Sequence, residues 1–122
     1  MSEYLHEQLT RQIINAAHTV HNTLGYGFIE KIYHNALCIE LRNEGLKTEI
    51  QKPIKVYYAK QLVGEYFADL IVDEKVIVEV KSVENYNRIF EAQLLNYLKA
   101  TGLKVGLIVN FGKSVEVKRM IL

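Results

Sequence analysis

Residues 68–82 read ADLIVDEKVIVEVKS, two apolar runs joined by a charged turn, with Asp69, Glu79 and Lys81 set among Val, Ile and Leu. Side chains alternate along a strand, so Glu79 and Lys81 share one face and Val78 and Val80 the other. The turn decides where Asp69 stands. A two-residue loop at Asp73 and Glu74 mixes charge into the apolar layer. A three-residue loop, Asp73-Glu74-Lys75, instead pairs Val72 with Val76, Leu70 with Val78 and Ala68 with Val80. One face is then wholly apolar and Asp69 lies opposite Glu79. The expectation is a hairpin that projects Asp69, Glu79 and Lys81 from one face while the other packs on helices. The competing reading is that the charged face is simply wet, as in many antiparallel sheets.

The segments around this hairpin divide by period. Leu5, Leu9, Ile13, Ala16, Ala17, Val20 and Leu24 recur at spacings of three and four, which predicts a helix that ends at Gly25. A second helix follows, with Ile29, Ile32, Tyr33, Ala36, Leu37 and Leu41 inward and Gly45 as its stop. From Lys47 the period changes to two. TEIQKPIKVYY, QLVGEYFADLIV and KVIVEVKS predict three successive strands, with Pro53 marking the first as an edge or bulged strand. Helical spacing returns from about Asn85 to Thr101 through Phe90, Leu94, Tyr97 and Leu98, and Gly102 closes it. LKVGLIVNF then predicts a strand buried on both faces, and SVEVKRMIL a last strand. The order is ααβββαββ.

With 122 residues, 49% of them hydrophobic, the chain fits one domain over residues 1–122. The segment MSEYLHEQLT is polar and charged, and no stretch approaches the ~20 apolar residues of a membrane span. A soluble, unexported protein is expected. The single cysteine, Cys38, excludes an intramolecular disulfide and suits a reducing cytosol, hence a cytoplasmic protein. Net charge is +1, but residues 1–74 carry 7 Lys+Arg against 10 Asp+Glu and residues 75–122 carry 8 against 4. The C-terminal half is the one suited to face phosphate.

Two carboxylates across a strand pair, about 5 Å apart at Cβ, repel each other unless a cation lies between them. An all-oxygen site suits Mg²⁺ or Mn²⁺. Asp69 and Glu79, with the Val80 carbonyl, are the candidate ligands, and Lys81 is placed to orient an attacking water and offset charge on a phosphoryl group. Phosphodiester hydrolysis is the reaction class that uses all of these parts.

Asp69 followed ten positions on by Glu79-Val80-Lys81 resembles the D…(D/E)xK signature of the PD-(D/E)XK nuclease superfamily. GFIEKIY supplies Gly27, Glu30 and Tyr33, matching the GxxExxY motif of a small branch of that superfamily, and GLIVNFG is also similar to that branch. AQLLNYL supplies Gln93 and Tyr97, matching the QxxxY element of the RecB-like nucleases. The resemblance covers nearly the whole chain. It implies a restriction-endonuclease-like α/β core with a mixed five-stranded sheet flanked by helices. It further implies that Asp69, Glu79 and Glu30 bind the metal, that Lys81 is catalytic, and that Gln93, Tyr97 and Tyr33 support the site or touch substrate. The expected substrate is nucleic acid, DNA in preference to RNA, and recognition is expected to draw on a homodimer or a larger protein partner. One departure is Ala68, where the family motif has proline; that residue is not a ligand.

Without the resemblance, Glu30 reads as an exposed helix glutamate, Tyr97 as a core-rim tyrosine and Tyr33 as a packing residue. Rival functions are a catalytically silent nucleic-acid-binding or interaction module on the same fold, and a structural partner in a larger assembly. His18 and His21, three apart, make only part of a zinc site, and His21 reads better as packing near the LGYG turn. KVYYAK can stack bases, but an edge strand guarded by lysines is the simpler reading. Ser82 has no histidine nearby in sequence to activate it.

Overall fold

The computed structural model describes residues 5–122; the first four residues of the polar N-terminal segment lie outside the described residues. Helices α1 (Glu7–Leu24) and α2 (Glu30–Asn43) precede strands β1 (Thr48–Tyr58), β2 (Gln61–Val72) and β3 (Val76–Lys81). Helix α3 (Ile89–Thr101) and strands β4 (Val105–Phe111) and β5 (Val115–Ile121) follow. The predicted order ααβββαββ is the observed one. The five strands form a single sheet in the order β1-β2-β3-β4-β5. All neighbours are antiparallel except β3 and β4, which run parallel through the α3 crossover.

Helices cover both faces. On one, Ile13, Ala17 and Val20 of α1 and Tyr33, Leu37 and Leu41 of α2 pack on Leu70, Val72, Val78, Val80, Leu107 and Val109. On the other, Leu94 and Leu98 of α3 pack on Ile54, Ala68, Ile71, Ile77 and Ile108. The Glu79 face is thus not the open face of an antiparallel sheet, and the wet-face reading falls. A β4 buried along its whole length follows from this two-sided cover, as its unbroken apolar run predicts. At Gly106 a Cβ would come within 2.7 Å of a Leu94 methyl, so only glycine lets α3 approach β4 this closely. Gly102, at φ 78° and ψ 0°, adopts the left-handed conformation that stops α3.

The β2–β3 turn is the three-residue one. Val72 pairs with Val76, Ile71 with Ile77 and Leu70 with Val78, and Lys75 N–H closes the loop on the Val72 carbonyl. The expected continuation to an Ala68–Val80 pair does not occur. Ala68 belongs to the α3-side cluster while Leu70 and Val80 belong to the other, so the alternation slips one step at Asp69.

Helix α2 is rotated from its predicted stripe. Tyr33, His34, Leu37, Cys38 and Leu41 are buried, whereas Ile29 is 70% exposed and Ile32 40%. Helix α3 starts at Ile89 rather than near Asn85, and the Asn87 side chain just ahead of it accepts the Ile89 N–H.

Candidate active site

Asp69 belongs to neither ladder. Pairing of β2 with β3 stops at Leu70–Val78, and pairing with β1 passes from Ile50–Leu70 to Lys52–Ala68, skipping Gln51 and Asp69. Gln51 sits at φ 51°, a left-handed residue at the skipped step. Buried backbone polar groups need partners, and here side chains supply them. Asp69 N–H donates to Glu79 Oε2 at 3.0 Å, and His34 Nε2–H donates to the Asp69 carbonyl at 3.0 Å. In return Val80 N–H donates to Asp69 Oδ2 at 2.8 Å. The two carboxylates hold the strands apart by each binding the other strand's amide. Among the described residues no hydrogen-bond donor reaches the second oxygen of either carboxylate.

This arrangement concentrates negative charge. Glu79 is only 8% exposed. Its carboxyl is pushed up to about 8, first by burial and then by the Asp69 carboxylate, with the Asp69 N–H and Lys81 opposing. Glu30, the first residue of α2, also has a raised carboxyl pKa, from burial first and Asp69 second, while Lys81 and His34 lower it. Electrostatics therefore joins α2, β2 and β3 in one cluster. A pocket of about 370 Å³ lined by Glu30, Lys31, His34, Gln51 and Asp69 opens beside it. The larger cleft, about 590 Å³ between β1 and the end of α3, contains none of Glu30, Asp69 and Glu79.

The donor set fits a hard divalent cation: two carboxylates with a free oxygen each, a third within electrostatic reach, and a raised Glu79 carboxyl that marks an excess of negative charge a cation would relieve. Among the described residues, no group of three or more His, Cys, Asp or Glu side chains is placed to hold a metal ion, so the candidate ligands are the two carboxylates of Asp69 and Glu79. Cys38 is buried in the core, and His21 instead donates its Nε2–H to the Gly112 carbonyl, 2.8 Å away, and stacks on Phe111, so no zinc site forms from His18, His21 and Cys38.

The structure brings Lys81 next to the pair without an ion pair to it among the described residues. Its Nζ lies 4.5 Å from the centre of the Phe90 ring on α3. Tyr97 reaches the same neighbourhood from α3. Its hydroxyl is raised by burial and then by the Glu79 charge, and its ring lies 5.3 Å from that of Tyr66. Gln93 is exposed on α3. Tyr33 lies entirely within the core, so direct substrate contact is not its place. Its ring stacks on Phe111 at 4.6 Å, and its hydroxyl donates to the Gly25 carbonyl and accepts the Phe28 N–H. It anchors the Gly25–Phe28 loop that delivers Glu30.

Two further residues escaped the sequence reading. His34 follows Glu30 by one helical turn and ties α2 to Asp69. Asn110, buried on β4 opposite Lys81, grips both backbone groups of Val83 and so fixes the chain leaving Lys81. A lone polar residue in the apolar run GLIVNF was the available signal for Asn110; His34 offered only its position four after Glu30.

A mixed five-stranded sheet with helices on both faces, and an acidic pair plus lysine where β2 and β3 part, defines a restriction-endonuclease-like fold. The family model of the PD-(D/E)XK nuclease superfamily matches residues 7–120, and the chain belongs to that superfamily. The superfamily is one of nucleases. Among solved structures, the crystal structure of SSO0001 is similar with a TM-score of 0.61 at 16% identity, over 75% of this chain and 48% of that one. The chain thus spans about half the length of that relative, and the likeness concerns the fold alone. No curated protein matches. No helix among the described residues is long and apolar enough to cross a membrane.

Proposed function

We propose that this chain hydrolyses phosphodiester bonds in nucleic acid with Mg²⁺ or Mn²⁺, taking DNA in preference to RNA, and that it belongs to the GxxExxY branch of its superfamily. The observation that carries this is the reciprocal latch of Asp69 and Glu79, which leaves one free oxygen on each carboxylate beside the Lys81 ammonium. In this reading Asp69, Glu79 and the Val80 carbonyl hold the cation, and Glu30 approaches from the start of α2. The bound cation supplies Lewis acidity at a phosphate oxygen and makes water a better nucleophile.

The rest is work for the chain's own groups. Lys81, pinned over Phe90, orients the attacking water and offsets charge that builds on the phosphoryl oxygens. Gln93 and Tyr97, four apart on α3, contact the substrate backbone or steady Glu79. Tyr33 keeps Glu30 in reach by holding the preceding loop. The test is cleavage of labelled single-stranded, nicked and branched DNA in Mn²⁺, with RNA as comparison. Cleavage that disappears in Lys81→Ala supports the assignment, and equal cleavage by that variant refutes it.

A second reading has one observation in its favour: among the described residues no group of three or more His, Cys, Asp or Glu side chains is placed to hold a metal ion. A silent nucleic-acid-binding module on this fold would bind oligonucleotides without turnover, and Lys81→Ala would leave binding unchanged.

A further inference from the structure

The β1–β2 hairpin extends well past the rest of the sheet. β3 pairs with β2 only along Leu70–Val72, so the hairpin from Lys52 to Ala68 has no third strand. Two-stranded hairpins are marginal in water unless a face is covered. Helix α3 covers one face, where Ile54 is buried and Tyr66 meets Tyr97. On the alternate face Pro53 pairs with Phe67 and Lys55 with Glu65; beyond a bulge Tyr57 pairs with Leu62. All six are exposed, Phe67 by 52%, Leu62 by 55% and Tyr57 by 60%.

The charge on this face identifies what covers it. Lys55 and Glu65 stand directly opposite, yet among the described residues neither makes an ion pair within the chain. Within the strip one cation and one anion balance, and the other hairpin lysines lie outside it, Lys52 on the α3 face opposite Ala68 and Lys60 in the turn. The strip complements itself: turned about a two-fold axis, Lys55 of one copy meets Glu65 of the other, twice. Phe67 and Tyr57, each about half exposed, together with Leu62 offer on the order of 300 Å² of apolar surface per copy. That is below the ~800 Å² per partner of a standard interface and suits a weak dimer.

We infer that the free face of this hairpin binds a second copy of the chain, giving a weak two-fold dimer. Phe67 lies two residues before Asp69, so the contact begins close in sequence to the acidic pair while Glu79 faces the other side of the sheet, toward α3. The inference does not depend on catalysis, and mass measurement reads it directly.

The experiment is sedimentation equilibrium on the full chain through the micromolar range. Wild type is expected to dimerise and Phe67→Glu to remain monomeric with an unchanged circular dichroism spectrum. Lys55→Glu and Glu65→Lys each place like charges across the axis, and each should weaken self-association by about tenfold or more. Mixed in equal amounts, those two variants regain both pairs, and a mixed dimer should return. A monomeric wild type, or no recovery on mixing, overturns the proposal. So does a monomeric wild type whose oligonucleotide affinity falls in Phe67→Glu, which would assign the face to nucleic acid.

Discussion

Asp69 and Glu79 each bind the backbone of the other's strand: Asp69 N–H donates to Glu79 Oε2, and Val80 N–H donates to Asp69 Oδ2. The sheet opens at this step, and the opening is stable because the two carboxylates replace the ladder bonds it costs. The same bonds bring two negative groups together in a nearly dry setting. From that compromise the first prediction follows.

The Glu79 carboxyl has a folded pKa near 8 against an unfolded value of 4.5. Below 4.5 both states hold the proton, and its favourable contribution is fully present. Between about 4.5 and 8 the folded state keeps a proton that the unfolded state has lost, so stability falls as pH rises through this window. Glu79→Gln removes the charge while its amide oxygen can still accept the Asp69 N–H. In metal-free buffer the variant should be more stable than wild type at pH 8.5, by on the order of 3 kcal/mol, with the gap closing toward pH 5. Urea unfolding across that pH range measures it, and a gap independent of pH contradicts it.

His34 is the donor for an Asp69 carbonyl that lies outside both ladders. His34→Leu leaves that oxygen unpaired and should cost about 1–3 kcal/mol. His34→Gln, which keeps an N–H donor, should recover part of the loss. Chemical denaturation of the three proteins compares them; equal losses for Leu and Gln would show that the ring's packing matters and its hydrogen bond does not.

Gly106 sits under Leu94, which is fully buried and has little room to give. Gly106→Ala should destabilise the protein by roughly 1–3 kcal/mol through overpacking. Thermal unfolding of Gly106→Ala, Leu94→Ala and the double variant tests the cause. The double variant should lose less than the two single losses combined, because the alanine at 106 then partly fills the space vacated at 94.

Much of this was legible from pattern alone. The three-residue loop and the pairing of Leu70 with Val78 follow from requiring apolar residues to face each other, and that register brings Asp69 to Glu79. The slip at Asp69 was not legible, since it depends on side chains competing with backbone for amides and on the left-handed Gln51. The buried stripe of α2 differs from the apolar pattern at Ile29 and Ile32 because His34, a polar residue, occupies the buried face, where it bonds the Asp69 carbonyl. The placement of α3 across the Glu79 face depends on the parallel pairing of β3 with β4, of which the unbroken apolar run of β4 is only an indirect sign.

The central claim is that Asp69 and Glu79 share a divalent cation, and thermal unfolding during a Mn²⁺ titration tests it most directly. A cation at a hundredfold excess over its dissociation constant stabilises the folded state by about 2.7 kcal/mol. At ~3–6 °C per kcal/mol for a chain of this size, wild type should gain roughly 10 °C. Because the cation displaces the Glu79 proton, the gain should be larger at pH 8 than at pH 6. Asp69→Asn should show no gain at either pH. An unfolding temperature that ignores Mn²⁺ in wild type, or that rises equally in Asp69→Asn, would contradict a shared metal at this pair.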